Sequence, residues 1–162
     1  MKIGLISDSH DHMDHLHQAA RLFRERGVER VFHAGDFVSP PSILCLEGLT
    51  LYGVYGNNDG ERLGLSKAFE KTGGLLADEV LEMDLLPMGR MAVYHGTVSA
   101  ILNALIRSQT YDLVVAGHTH RVTDRMDGRT RLLNPGTAHG FNQQATVMVY
   151  DTTTTLAELI SL

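Results

Sequence analysis

The chain has 162 residues and a formal charge of −5, with nine histidines, one cysteine and no tryptophan. This length fits one domain, residues 1–162, which buries enough surface to fold without a disulfide or a metal ion. The acidic balance argues against general nucleic-acid binding, because no basic excess is present to neutralise phosphates. The single cysteine, Cys45, can form neither an internal disulfide nor a thiolate zinc cluster. The histidines are therefore the feature that needs an explanation.

The N-terminal segment has a short apolar run, Lys2–Ser7, which ends at Asp8. A secretory signal needs roughly 7–15 consecutive apolar residues and a membrane span needs about 20, so neither is predicted. We therefore expect a cytoplasmic protein with no membrane partner, and a lone unpaired cysteine suits that compartment.

Strands and helices alternate in the first half of the chain. The apolar and helical periodicities predict strand Lys2–Ser7, helix Met13–Arg26, strand Glu29–His33, a short helix from Pro40 to about Leu46, and strand Leu49–Tyr55. This order predicts parallel strands whose carboxyl ends collect their loops at one edge of a sheet, where open α/β sheets bind ligands.

Short strands dominate the second half, after a stretch without a clear pattern over Gly60–Asp78. One helix, Ser99–Ser108, is predicted among them. The predicted strands are Val80–Leu86, Arg90–Tyr94, Asp112–Ala116, Val122–Met126, Arg129–Leu133, Ala145–Tyr150 and Thr154–Ile160. The chain is thus expected to be an α/β protein with a β-rich second half.

Five polar blocks end apolar strands or lie in the loops just after them. They are Asp8-x-His10, Gly35-Asp36, Gly56-Asn57-Asn58-Asp59, His95-Gly96 and Gly117-His118-x-His120. Together they offer carboxylate, amide and imidazole donors without sulfur, a set that suits manganese, iron, zinc, nickel or cobalt. In an extended loop, residues two apart point to the same side, so both members of each spaced pair can face one site.

The blocks supply seven candidate ligands in all. They are Asp8, His10, Asp36, Asn57, His95, His118 and His120. Seven donors are too many for one ion that keeps an open position, and they suit two ions that share a carboxylate. Two such ions, ~3.5–4 Å apart, would clamp the oxygens of an in-line displacement at phosphorus.

The five blocks, in this order, resemble the calcineurin-like metallophosphoesterase superfamily. Within it, the opening Ile6–His12 and the turn Asn134-Pro135-Gly136 are similar to the small bacterial and archaeal phosphodiesterase family. The resemblance covers the chain from Lys2 to about Ile160. It implies a four-layer α/β/β/α sandwich of two mixed β-sheets flanked by helices.

The resemblance also implies a role for each residue of the blocks. The first metal would be held by Asp8, His10 and His120, and the second by Asn57, His95 and His118, with Asp36 bridging both ions. The implied activity is that of a dinuclear metal-dependent phosphodiesterase, an enzyme that hydrolyses a small phosphodiester by attack of a metal-bridging hydroxide. Asp59 would orient a site group through a hydrogen bond. Mn²⁺ is the expected ion, with Ni²⁺, Zn²⁺, Fe²⁺ and Co²⁺ left open.

One position departs from the pattern of many larger members of the superfamily. They have a histidine directly after the metal-binding asparagine, and this chain has Asn58 there. An amide donates a hydrogen bond but transfers no proton at neutral pH, whereas general acid catalysis is typically worth roughly 10²–10⁴-fold. Asn58 is therefore a candidate catalytic residue whose contribution depends on the leaving group.

Two alternatives stay open at this point. A eukaryotic retromer subunit resembles the same small family and serves as a protein-interaction scaffold, so a catalytically weak metal-binding scaffold is the second hypothesis. The family often forms dimers or larger assemblies, which makes a homo-oligomer possible by analogy.

The remaining five histidines lie outside the ligand set. His15 and His17 lie two apart in the first helix, so they face different sides of it, and both are expected to be solvated. His12 is close enough to contact substrate but is not expected to bind a metal directly. His33 is expected as an ordinary strand residue. His139 is an open choice between a pocket residue and an ordinary loop residue.

Overall fold

The protein consists of four helices and eleven strands, described for residues 1–162 in a computed structural model. The helices are α1 (Met13–Glu25), α2 (Pro40–Leu44), α3 (Arg62–Lys71) and α4 (Ser99–Arg107). The strands are β1 (Lys2–Ile6), β2 (Arg30–His33), β3 (Thr50–Val54), β4 (Leu75–Ala77), β5 (Val80–Leu85), β6 (Gly89–Tyr94), β7 (Leu113–Ala116), β8 (Thr123–Asp127), β9 (Thr130–Asn134), β10 (Thr146–Asp151) and β11 (Ala157–Ser161).

The strands form two mixed sheets. The first has the order β11-β10-β1-β2-β3-β4, in which β1 to β4 run parallel and β10 pairs antiparallel with β1. The second has the order β5-β6-β7-β9-β8, with a parallel centre and antiparallel edge strands. The predicted parallel arrangement of the first strands is therefore confirmed.

Three apolar clusters divide the molecule into four layers. The largest joins α1, α2 and α3 to the outer face of the first sheet, and a second fills the space between the sheets. A small third cluster places α4 on the outer face of the second sheet. The α/β/β/α sandwich that the resemblance implied is confirmed.

The contact between α1 and β1 is close because Gly4 has no side chain. A Cβ at Gly4 would lie 2.9 Å from a ring carbon of Phe23, so the Phe23 ring rests directly on the strand. Ile3 and Leu5, on either side of Gly4, point into the space between the sheets, following the two-residue period of a strand. This contact fixes the strand that leads into Asp8.

The predicted elements are found with small differences at their ends. The stretch 60–78, which shows no clear pattern, contains α3 and β4. Only Leu65, Ala68 and Phe69 of α3 are buried, and β4 is three residues long, so each leaves a weak periodic signal. The last strand begins at Ala157 rather than Thr154, because Thr155 takes a left-handed turn conformation with φ of +59°. None of the four helices has the length and apolar character needed to cross a membrane.

Replacing Phe23 with alanine should lower the free energy of unfolding by about 3–5 kcal/mol, because its fully buried ring leaves a cavity between α1 and β1. Urea unfolding followed by far-UV circular dichroism measures the change. Leu63→Ala, at an exposed apolar position on α3, is the control and should shift stability by less than about 0.5 kcal/mol. Equal effects of the two substitutions would contradict this account of the core.

Candidate metal centre

The five polar blocks follow the carboxyl ends of strands in both sheets. Parallel strands β1, β2 and β3 lead into Asp8, Asp36 and Asn57, and parallel strands β6 and β7 lead into His95 and His118. The two sheet edges meet, since the backbone N–H of His118 donates to Asp8 Oδ2 at 3.0 Å. The predicted convergence of these loops is therefore confirmed.

The loops hold several of these residues in a left-handed backbone conformation. Values of φ between +42° and +63° occur at Asp8, His10, Asp36, His118 and His120. Such values are uncommon outside glycine and cost of the order of 1–3 kcal/mol each, so the surrounding contacts must maintain them. Two backbone bonds do so between the first two loops: Asp8 N–H donates to the Gly35 carbonyl and His10 N–H to the Asp36 carbonyl, both at 3.0 Å.

Glycines allow the loops to approach each other closely. A Cβ on Gly56 would collide with the backbone nitrogen and carboxylate of Asp36. A Cβ on Gly117 would collide with the Ser7 hydroxyl and lie 2.8 Å from Asp8 Oδ2. Any side chain at position 56 or 117 would overlap the Asp36 or the Asp8 carboxylate, so both positions require glycine.

The first group of donors consists of Asp8, His10 and His120. One ligand atom from each lies within 4.8 Å of the other two. His120 Nε2 is 3.3 Å from Asp8 Oδ1, and the His10 and His120 ring centroids are 5.8 Å apart.

The second group consists of Asp8, Asp36 and His95, which meet the same 4.8 Å limit. Asp36 lies between two imidazoles, with its Oδ2 atom 3.4 Å from His10 Nε2 and 3.5 Å from His95 Nε2. Asn57 reaches this group through its Oδ1 atom, 3.1 Å from His95 Nε2. The position of Asp36 between the two sets of donors suits a shared carboxylate.

His118 lies beside the second group without belonging to either three-residue set. Its ring centroid is 5.1 Å from that of His95. The structure therefore brings all seven predicted ligands into one region, and it places Asn57 and His118 next to His95.

Two imidazoles turn their Nε2 atoms toward the site. His95 Nδ1 is 2.7 Å from the Ala34 carbonyl, which can only accept, so Nδ1 carries a proton. The Nε2 atom of the same ring faces the Asp36 and Asn57 oxygens, and although burial acts to lower the pKa of His95, a hydrogen bond to Asp36 raises it. Nε2 is thus the His95 atom that a cation would displace a proton from. His10 Nε2 is buried without a hydrogen-bond partner. A buried polar atom without a partner is rare, and a metal ion would satisfy it. The donors present thus fit a divalent metal.

Asp59 and Asn58 hold the loop that carries Asp36. The Asp59 carboxylate accepts from the backbone N–H groups of Asp36 (3.0 Å), Val38 (2.7 Å) and Gly56 (2.7 Å). Asn58 donates to both Asp36 oxygens, from its backbone nitrogen at 2.9 Å and from its side-chain amide at 2.8 Å. Asn58 therefore orients the central carboxylate in this structure.

The pKa values of the two buried carboxyl groups are shifted in opposite directions. Burial raises the pKa of Asp8 to about 6, against lowering contributions from Ser7 and other neighbours. Burial also acts to raise the pKa of Asp36, but hydrogen bonds from His95 and Asn58 outweigh it and hold that pKa well below its usual range. Asp36 is thus the carboxylate that stays ionised most readily.

A half-exposed aromatic residue outside the predicted ligand set covers part of the site. Phe141 is 49% exposed and lies parallel to the His120 ring at a centroid distance of 4.9 Å. Its centroid is 5.0 Å from that of His10, in an edge-on arrangement. It also stacks on His139 at 4.0 Å, which makes His139 part of the same wall. Only the folded loop reveals this role, because a single phenylalanine in a loop carries no periodic signal.

The other histidines divide as follows. His17 is exposed, as expected, and His33 is the last residue of β2. His15 was expected in solvent, but it is partly buried: its ring stacks on His12 at 3.6 Å and its Nδ1 atom bonds to the Ala138 carbonyl at 2.8 Å. The expectation was wrong for His15 because the loop that contains Ala138, far away in the sequence, covers its side of α1.

Fold and donor set together define a class of protein: a two-sheet α/β/β/α sandwich with a candidate metal centre of nitrogen and oxygen ligands where the strands end. The family model of the calcineurin-like phosphoesterase superfamily domain matches residues 1–155. The chain therefore belongs to the calcineurin-like phosphoesterase superfamily and is a phosphoesterase, and this family implies divalent metal ions.

Individual proteins agree with this assignment. Phosphodiesterase MJ0936 of Methanocaldococcus jannaschii is 36% identical over 145 residues, which cover 87% of this chain and 86% of that protein. A solved structure of an archaeal phosphodiesterase superposes with a TM-score of 0.94 at 32% identity and covers both chains completely. Vps29 of Entamoeba histolytica, solved in complex with zinc, has a TM-score of 0.67 at 18% identity, covering 100% of this chain and 98% of its own, and shows the fold alone.

The raised pKa of Asp8 predicts a pH-dependent stability for the metal-free protein. Folding raises this pKa from 3.8 to about 6, so between these values the folded chain binds the proton more tightly and stability falls as pH rises. After chelation, Asp8→Asn should therefore be about 1–3 kcal/mol more stable than the wild type at pH 8, with the difference gone at pH 4.

Urea unfolding at the two pH values measures this effect, and Asp84→Asn, at an exposed carboxylate on β5, is the control. Excess Mn²⁺ should reverse the order, because the ion stabilises the ionised carboxylate that the variant lacks. If the metal-free Asp8→Asn protein is less stable than the wild type at pH 8, the pKa of Asp8 is not raised by folding.

Proposed function

We propose that the protein is a dinuclear metal-dependent phosphodiesterase, which hydrolyses a phosphate ester by attack of a hydroxide that bridges its two metal ions. The observation that carries the proposal is the position of Asp36, whose Oδ2 atom lies 3.4 Å from His10 Nε2 on one side and 3.5 Å from His95 Nε2 on the other. A carboxylate between two sets of donors suits two neighbouring ions better than a single one.

The proposed ligands fall into two sets around Asp36. Asp8, His10 and His120 would hold one ion, and Asn57, His95 and His118 would hold the other. When bound, the ions supply Lewis acidity and an activated water at neutral pH. Asp59 keeps the two loops beside Asp36 in place through its three backbone hydrogen bonds.

Asn58 is the proposed positioning group for Asp36 and the substrate oxygens. Its amide donates a hydrogen bond and no proton, so leaving groups that depart without protonation suit this site best. We therefore expect kcat to depend strongly on the pKa of the leaving group.

Further properties belong to the same proposal. Residues 1–162 act as one domain, because both sheets contribute ligands to the site. The substrate is a small phosphodiester, since the −5 charge argues against general nucleic-acid binding. Manganese as the native ion, a cytoplasmic location and a homo-oligomeric state are proposed from the sequence and the family resemblance.

The purified protein should hydrolyse bis(p-nitrophenyl) phosphate with Mn²⁺ and lose this activity on chelation. Asp36→Asn and His118→Ala should each lower kcat/KM by about 100-fold or more, because each removes a proposed ligand. His17→Ala, which removes an exposed histidine of α1, is the matched control and should keep wild-type activity. Full activity in either ligand variant would refute the assignment.

Asn58→His should introduce a group that can transfer a proton, and kcat should then depend less on the pKa of the leaving group. The variant is expected to gain at least about tenfold more on an alkyl phosphodiester than on a p-nitrophenyl ester, because only the alkoxide needs protonation as it departs. A series of esters that differ only in leaving-group pKa measures the slope. Equal slopes for the variant and the wild type would contradict this role of position 58.

A scaffold is the second candidate function, because the chain shares its fold with Vps29 and has Asn58 at the position of a general acid. The complete set of seven candidate ligands favours the enzyme, since a scaffold has no need to keep them. A protein that binds two Mn²⁺ ions per chain yet turns over no member of a broad phosphoester panel would favour the scaffold.

A further inference from the structure

An open groove of about 520 Å³ lies between β3 and α4. This volume is within the range of roughly 300–1,000 Å³ that is typical of small-ligand sites. Another cavity, of about 400 Å³ between α2 and α3, contacts none of the site residues and offers them no access. A third, of about 460 Å³, lies on the outer side of His139 and Phe141 and has none of the seven candidate ligands in its lining. The groove beside α4 is lined by one of them, Asn57.

The groove is continuous with the candidate metal centre. Asn57 lies on its wall, and Asn57 Oδ1 is 3.1 Å from His95 Nε2. Thr97, two residues beyond His95, lies on the same wall. A group attached to a phosphate at the metal centre would therefore have the groove next to it, on the far side of Asn57.

One wall of the groove is apolar, and a hydrogen bond to the neighbouring strand holds it in position. Val98 and Ile101, at the start of α4, are 47% and 42% exposed although both are aliphatic. The backbone N–H of Val98 donates to the Tyr94 hydroxyl at 3.0 Å, which ties the start of the helix to the strand below it. Covering these aliphatic groups with a ligand removes apolar surface from water.

The opposite wall has an aromatic ring and no free positive charge. The Arg62 guanidinium lies 4.0 Å from the centroid of the Tyr55 ring and is paired with Asp78 at 2.7 Å. Glu79 adds a second carboxylate to the lining. With one cation against two carboxylates, the groove disfavours a second phosphate or carboxylate and favours an uncharged group.

We propose that this groove binds one arm of the substrate, and that the arm is an uncharged planar ring lying between Tyr55 and the first turn of α4. The inference rests on the proposed function, because the phosphate of the same molecule must sit at the metal centre. The substrate class is then a phosphodiester with an uncharged aryl or nucleoside arm, and esters whose arm has a further negative charge are poor ligands.

Inhibition of the Mn²⁺-loaded protein by phosphates with a single arm tests the proposal. Phenyl phosphate should inhibit at about tenfold lower concentration than methyl phosphate, because only the phenyl ring buries the apolar wall. 4-Carboxyphenyl phosphate, with the same ring and one more charge, should lose most of that advantage. Calorimetric titration of the three compounds provides the same comparison without turnover.

Two variants remove the apolar wall in different ways. Ile101→Asp introduces a charge there, and Val98→Ser replaces the N-cap residue of α4 with a better cap, so the second variant should fold at least as well as the wild type. Both should bring the inhibition constants of phenyl and methyl phosphate to within about twofold of each other. Leu159→Asp, at an exposed leucine on β11, is the control and should keep the tenfold ratio.

Asp78→Asn tests the charge argument separately. It frees the Arg62 guanidinium, so 4-carboxyphenyl phosphate should bind this variant several-fold more tightly than the wild type. Phenyl phosphate should bind both proteins alike.

The proposal is overturned if an active protein binds phenyl and methyl phosphate equally, or if both wall variants keep the tenfold ratio. It is also overturned if Ile101→Asp converts a dimer to a monomer in light scattering while the ratio persists, because the groove then belongs to a second copy. A protein without turnover on any phosphodiester refutes the proposed function, and the calorimetric comparison then decides the inference alone.

Discussion

The site depends on the burial of two carboxylates within one small volume. Asp8 and Asp36 are removed from solvent, and the burial of an ionised group is unfavourable unless other groups compensate. The compensation around Asp36 is generous, with an amide, a backbone N–H and two imidazoles close to its oxygens. Around Asp8 it is smaller, and the raised pKa of that carboxyl reflects the difference. The protein groups therefore compensate the buried negative charge of the two carboxylates only in part, and a divalent cation would supply the rest.

The grouping of donors within each sheet could be predicted from the sequence, because each block follows an apolar strand and parallel strands bring their carboxyl ends to one edge. The meeting of the two sheet edges could not be derived in this way, and only the family resemblance implied it. Phe141 and His15 could not be predicted in the same way, because their roles come from contacts with residues more than 100 positions away or with a loop of irregular shape. Helix α3 was missed for another reason: three buried residues and a short length give little periodicity.

The surroundings of the metal centre differ on its two sides. On the side of His10 and His120 the wall is made of rings, with Phe141 packed on both imidazoles and on His139. On the side of Asn57 the wall opens into the groove beside α4. The ring-lined side thus contacts the proposed ligands directly, and the other side has the space in which we propose that an arm of the substrate binds.

The left-handed loops are held by the chain itself, through the Asp59 carboxylate and the backbone bonds of Asp8 and His10. These bonds join residues of the chain to one another, so the fold itself stabilises the shape of the loops. Little of the free energy of metal binding would then be used to order the donors, and several divalent ions that accept nitrogen and oxygen ligands would suit the same loops.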